Sequence, residues 1–266
     1  MLSASVTGAK LRGVAFAGQL FVAVGDDGLI LTSPDGIDWA RRESPVGRRL
    51  LAVTAGAEGF IAVGSGGTII GSADGVEWTE RDSAVGDELR DVCFGHGRFV
   101  AVGSRKTILV SKDGHRWERV SSRSSVSLKT VAAGPNGFVA VGCGVILTSS
   151  DGWRWQPATV SGAQHSILGV TWGRDRWVAV GKYGLMLTST DGRHWVELDR
   201  AASEHLRDVT LAQDYFIAVG RNGLILRSQD GLHWERLLEG FIAVGTGGTV
   251  LVSDDGVVWR RLAEEP

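Results

Sequence analysis

Arg12, Arg90, Lys129 and Arg207 occupy equivalent places in a sequence that repeats itself, and Leu51 and Leu168 fill the two remaining places. Four basic residues at six matched positions suggest a ring of cations. Arg105, Lys106, Lys182 and Arg221 fall in nearby loops and add to it. Cations gathered around a concave mouth focus positive potential on an anion, because low-dielectric walls confine the field. The competing reading pairs each cation locally: Asp91 follows Arg90 and Asp208 follows Arg207.

Other chemistry is thinner. A glycosidase needs two carboxyl groups facing each other across a cleft. Asp26, Asp27, Asp87 and Glu88 share the loop side with the cations, but acidic loop residues are commonly just solvated. His165 and His205 occupy successive loops, yet no third ligand accompanies them, so no metal site is expected. "GSGGT" and "GTGGT" join two strands rather than opening a helix, which removes the phosphate-cradle mechanism. Cys93 and Cys143 hold non-equivalent positions and read as small unpaired thiols. Trp153 and Trp172 are extra to the repeat; Trp153 is the one placed for stacking on a sugar. His115, His194 and His233 fall inside turns.

The elements that must position these residues are short strands. "AVG" recurs at 23–25, 62–64, 101–103, 140–142, 179–181, 218–220 and 243–245, in five steps of 39 residues and one of 25. A fixed period near forty residues means one supersecondary unit copied around or along an axis. Repeat 3 shows the unit as "LRDVCFG", "RFVAVG", "TILVS" and "WERVS". These runs are β-branched and aromatic, with glycine-containing pairs between them and no amphipathic helix. Four antiparallel strands per unit, repeated radially, predict a β-propeller; a linear solenoid suits four strands less well. In that topology the loops entering the first strand and joining the second to the third lie on one face.

Between the third and fourth strands stands a seven-fold motif, Ser-x-Asp-Gly-x-x-Trp, from "TSPDGIDW" to "VSDDGVVW". Its aspartates are Asp35, Asp74, Asp113, Asp151, Asp191, Asp230 and Asp255; its tryptophans are Trp39, Trp78, Trp117, Trp155, Trp195, Trp234 and Trp259. The Ser hydroxyl and Asp carboxylate can accept backbone N–H groups across the turn, and Gly supplies positive φ. Trp then buries a ring between blades. The motif is a folding device rather than a reaction centre.

On these residues the chain resembles the Asp-box, or bacterial neuraminidase repeat, propellers, one residue shorter than the usual Ser-x-Asp-x-Gly-x-x-Trp spacing. That superfamily includes sialidases, other glycoside hydrolases, sortilin-type receptors and photosystem II assembly factors, a breadth that implies fold far better than function. A sialidase implies an arginine triad, a Tyr nucleophile with a Glu partner and an acidic proton donor. Tyr183 lies on the loop face with Glu204 as its nearest acidic candidate, while Tyr215 precedes a second strand on the opposite face. The Phe/Tyr-Arg-Ile-Pro motif is absent.

Repeat 7, "EGFIAVGTGGTVLVSDDGVVW", tracks repeat 2 but lacks the segment matching "RLLAVTAGA", the first strand of a blade. The expected fold is one all-β domain over 1–266: a seven-bladed propeller whose seventh blade lacks its inner strand. Six blades with a three-stranded appendage is the alternative. Residues 2–7 are expected to cover the vacant edge as a reversed strand, since three residues, 8–10, are too few to bring the chain back in the native direction.

A formal net charge of −2 exerts no overall pull toward nucleic acid, so none is expected as a partner. Thirty-eight glycines, about twice the usual share, fit many tight turns. No apolar run reaches transmembrane length, and the opening residues lack a signal-peptide core, which reads as cytoplasmic unless a leader has been removed. The leading expectation is a non-catalytic binding or assembly platform with no cofactor, engaging a protein or anionic ligand at the channel mouth. It is expected to be monomeric unless the open edge of blade 7 pairs with another chain. A glycan-binding or glycoside-hydrolase-like propeller and a purely structural repeat are the alternatives.

Overall fold

The computed structural model describes residues 10–122, 126–161, 166–212 and 214–237, with the backbone of Phe241–Gly245, Thr249–Ser253 and Arg260–Arg261. Six antiparallel sheets follow one another, each paired in chain order from an inner strand outward. The inner strands are Leu11–Ala17, Leu50–Gly56, Leu89–Gly95, Leu128–Gly134, Ile167–Gly173 and Leu206–Ala212. They lie side by side from blade 1 to blade 6. Blade 3 matches its sequence reading, with strands Leu89–Gly95, Arg98–Gly103, Ile108–Ser111 and Glu118–Arg119.

The core lies between blades rather than within one. Blade 2's Trp78, Phe60 and Ile70 share a buried cluster with Val22, Val24 and Ile30 of blade 1. Blades 2 and 3 repeat this through Ile61, Ile69, Phe99 and Trp117, and blades 5 and 6 through Val178, Met186 and Phe216. A four-stranded sheet has two apolar faces, and stacking against both neighbours removes both from water. Trp78, Trp117, Trp155 and Trp195 are buried, whereas Trp39 and Trp234 are half-buried.

The turns work as their composition predicts. In blade 3, Ser111 Oγ accepts the Gly114 N–H at 2.9 Å, and Asp113 Oδ1 accepts those of His115 and Arg116 at 2.8 and 2.9 Å. These backbone donors hold the Asp113 carboxyl down to about 2. Gly114 adopts φ +70°, and a Cβ there would sit 3.0 Å from Ile61 Cδ1 of blade 2. Trp117 Nε1 donates to the Gly114 carbonyl at 3.2 Å. The equivalent carboxylate bonds recur at Asp35, Asp74, Asp151, Asp191 and Asp230. Asp255 and Trp259 lie outside the described residues.

Two expectations need correction. The propeller has six blades, not seven. Only four residues separate Glu235–Arg236 from Phe241–Gly245, whereas every inner strand takes seven, so no inner strand starts a further blade. Phe241–Gly245, Thr249–Ser253 and Arg260–Arg261 form a three-stranded sheet whose first strand approaches the inner strand of blade 1. Repeat count overstated blade count because motif copies survive in a unit too short to make a blade. Blade 5 also carries a fifth strand: Thr159–Ser161 pairs in parallel with His194–Glu197. This extended, β-branched link leaves the outer strand of blade 4 and adds itself to the outer edge of blade 5, where Thr159 N–H meets Arg193 O at 2.8 Å. The reversed strand expected of residues 2–7 lies outside the described residues. Among the described residues no helix is long and apolar enough to cross a membrane.

Candidate functional site

The second residue of every inner strand sits at a break in register with its neighbour, between Leu11 and Gly13 in blade 1 and at the matching points of the other five. A β-bulge of this kind re-aims the extra side chain. Arg12, Leu51, Arg90, Lys129, Leu168 and Arg207 are those bulge residues, and all six line one central channel of about 550 Å³. The loops assemble on the same side. Backbone N–H groups of Asp26, Ser65, Ser104, Lys182 and Arg221 each donate, at 2.9–3.0 Å, to the carbonyl of the residue that precedes their blade's inner strand. Arg105, Lys106, Lys182, Tyr183 and Arg221 thereby sit in turns around the channel mouth.

The mouth is electrostatically lopsided. In blades 1–3 the arginines of the mouth each meet a carboxylate. Arg12 grips Asp26 with two hydrogen bonds of 3.0 Å, and Arg49 adds a third contact to that carboxylate at 3.3 Å. Arg90 donates to Glu88 at 2.8 Å and to Leu128 O at 3.3 Å, and Arg105 and Arg119 share Asp87. In blades 4–6, Lys129, Lys182, Arg207 and Arg221 have no ion-pair partner among the described residues. Lys106 likewise has none and is exposed. The local pairing expected of Asp91 with Arg90 and of Asp208 with Arg207 does not form.

At the centre of the unpaired group is His205. Its Nδ1 accepts the Tyr183 backbone N–H at 2.9 Å, and the two rings meet edge-on at 4.7 Å. An acceptor Nδ1 places the ring proton on Nε2. Burial, then the fields of Arg221, Lys182 and Arg207, push the His205 pKa below its ordinary value. Three cations therefore act on one neutral imidazole. Tyr183 is 53% exposed and adopts φ +58°, a left-handed conformation uncommon for a bulky residue. The companion histidine, His165, lies outside the described residues.

Deeper in the channel stand two carboxyl groups that sequence reading took for salt-bridge partners. Asp91 Oδ1 accepts the Val92 N–H and Oδ2 the Val131 N–H of the next blade, both at 2.9 Å. Burial, reinforced by Asp208, raises Asp91 to about 7. Among the described residues Asp208 accepts only the Val209 N–H, and burial raises it to about 6. Both line the channel, Asp91 half-buried and Asp208 more open, and the enclosing strands reduce the solvation of the charged form. The Cys93 thiol is pushed far up by the same enclosure and by Asp91, which keeps it protonated. Cys143 is exposed. The signal for the carboxyl pair was available: the third inner-strand position reads Gly13, Ala52, Asp91, Thr130, Gly169 and Asp208.

Of the acids considered for hydrolysis, Asp27 is exposed in the Asp26–Gly28 turn and the others are engaged elsewhere. Asp26 is held below the usual carboxylate range by Arg12. Asp87 accepts from Thr107 at 2.7 Å and forms ion pairs with two arginines, and Glu88 holds Arg90. Glu204 lies near Arg236 at 3.7 Å. Tyr215 begins the second strand of blade 6, where Arg227 stacks over its ring at 4.8 Å. Trp153 is half-buried and packs on the core between blades 3 and 4, and Trp172 meets Trp177 edge-on. Among the described residues no three potential metal ligands cluster.

Known structures agree with this architecture: the chain is a β-propeller. One similar structure, entitled YCF48 bound to D1 peptide, shares 17% identity with a TM-score of 0.73, covering 97% of this chain and 92% of the other. YCF48 from Cyanidioschyzon merolae shares 18% with a TM-score of 0.67, covering 92% of each. The WD40 propeller domain of Doa1 shares 13% with a TM-score of 0.74, covering 97% and 94%. At such identities the likeness is one of fold. No protein-family model matches the sequence, and no curated protein matches it.

Proposed function

We propose that this propeller is a non-catalytic binding or assembly platform that engages an acidic protein segment across the channel mouth of blades 4–6. The observation that carries the reading is the set of four cations, Lys129, Lys182, Arg207 and Arg221, without ion-pair partners among the described residues, in a concave rim whose arginines on the opposite side, in blades 1–3, meet carboxylates. Carboxylates of a partner would complete these side chains and accept from His205 Nε2–H, and the lopsided field would orient the approach. The similarity to YCF48 bound to D1 peptide supports this reading. The Ser-x-Asp-Gly-x-x-Trp turns support kinship with Asp-box propellers, which include assembly factors.

The test is fluorescence anisotropy with a labelled decaglutamate peptide at low and physiological salt. The double variant Lys129→Glu/Arg207→Glu should weaken binding by about tenfold or more and flatten its salt dependence. Arg154→Glu, an exposed reversal in a turn on the other face, should leave it unchanged. Equal affinity in the double variant, or an equal loss in Arg154→Glu, would refute the site.

A further inference from the structure

The opposite face holds an open cavity of about 810 Å³ between the Arg174–Arg176 hairpin of blade 5 and the Ser228–Glu235 turn of blade 6. Its chemistry departs from the repeat. At the start of the second strand the blades carry Leu20, Gly59, Arg98, Gly137, Arg176 and Tyr215; at the third place of the third strand they carry Thr32, Gly71, Val110, Thr148, Thr188 and Arg227. Blade 6 alone combines an aromatic ring with a guanidinium there, and the two stack.

Two donors in this wall have no acceptor among the described residues. In five blades the turn tryptophan donates Nε1–H to the turn glycine carbonyl, at 2.7–3.2 Å. In blade 6 Trp234 Nε1 is buried without a partner, and so is Arg176 Nε. Arg98, at the matching place in blade 3, uses its guanidinium to reach the Asp151 carbonyl at 2.6 Å. A buried donor left without an acceptor is costly, and two in one cavity wall call for oxygen acceptors.

Those acceptors need not carry charge. Arg227 is matched by Glu235 at 2.6 Å, Arg174 by Asp214 at 2.6 Å, and His233 by Asp230 at 2.7 Å. Arg176 and Asp175 remain, one of each sign. An anion gains little net attraction here. Glu235 receives both Arg227 bonds on Oε1, which leaves Oε2 open as an acceptor beside the guanidinium donors. A fixed carboxylate oxygen next to guanidinium N–H groups matches two neighbouring hydroxyls, each of which both donates and accepts.

We infer that this cavity of blades 5 and 6 is a binding site for a neutral polyhydroxylated ligand, an oligosaccharide, separate from the channel mouth. Hydroxyl oxygens accept from Trp234 Nε1 and Arg176 Nε once those side chains turn toward them, and hydroxyl protons go to Glu235 Oε2. The Arg227–Tyr215 stack forms a rigid wall beside the ligand.

Titration calorimetry against neutral tetrasaccharides of the malto, cello, xylo and chito series tests it. One series should bind saturably. Arg176→Ala and Glu235→Gln should each weaken that binding about tenfold or more, while Lys129→Glu/Arg207→Glu should not change it. Glu235 is exposed, so its variant carries the test if Arg176→Ala fails to fold. The inference fails if no series binds wild type up to about 10 mM. It also fails if both variants bind like wild type, or if sodium sulfate binds with a dependence on Arg176 and the sugars do not. None of these outcomes bears on the decaglutamate measurement.

Discussion

Asp208→Asn isolates the electrostatic strain in the channel. Asp208 accepts one backbone N–H through Oδ1, and its Oδ2 has no partner among the described residues, so an amide can replace the carboxyl without losing a hydrogen bond. Its pKa rises from 3.8 unfolded to about 6 folded. Below about pH 3 both states are protonated and the group contributes nothing. Between about 4 and 6 the folded state keeps a proton the unfolded state has lost, so stability falls as pH rises; above about 6 the full penalty applies. A shift of roughly two units corresponds to at most about 3 kcal/mol. Asp208 is open to channel water, which screens the charge, and we expect about 1 kcal/mol. Urea unfolding of wild type and variant should nearly coincide at about pH 3 and differ by about 1 kcal/mol in favour of Asn at about pH 8. The Asp91 carboxyl, relieved of a like charge, should titrate at lower pH when followed by carbon NMR. A variant less stable than wild type at about pH 8, or a gain of the same size at about pH 3, would refute the reasoning.

Two further outcomes are expected. Trp117→Ala should cost roughly 3–5 kcal/mol, because the ring is 8% exposed within the cluster shared by blades 2 and 3; an unchanged denaturant midpoint would contradict its packing role. A panel of fluorogenic glycosides, sialosides included, should show no turnover, and robust hydrolysis abolished by Tyr183→Phe or by changing Asp26 and Asp27 would overturn the non-catalytic reading.

The inner strands, the turns and the loop face were legible because each depends on local pattern. Period-two apolar runs set the strands, and Ser, Asp, Gly and Trp at fixed offsets set the turn bonds found at 2.8–3.2 Å in blade 3. The placement of Arg12, Arg90, Lys129 and Arg207 in one channel followed from period alone. What each cation does there did not follow. Asp91 adjoins Arg90 in sequence, but alternation and the bulge send its carboxyl to the Val131 N–H of the next blade, while Arg90 turns to Glu88.

The sequence by itself therefore determined the repeat, the strand order within a blade and the face on which the cations gather, since these are set within about forty residues. Tertiary structure alone decided that six blades form, that Thr159–Ser161 joins blade 5, and that Asp91 and Asp208 are strained. It also decided which cations stay unpaired and where Trp234 loses its acceptor. The reason is physical: hydrogen-bond partners, ion pairs and solvation are properties of the space between blades, and residues about 40 apart or more in the chain supply opposite sides of it.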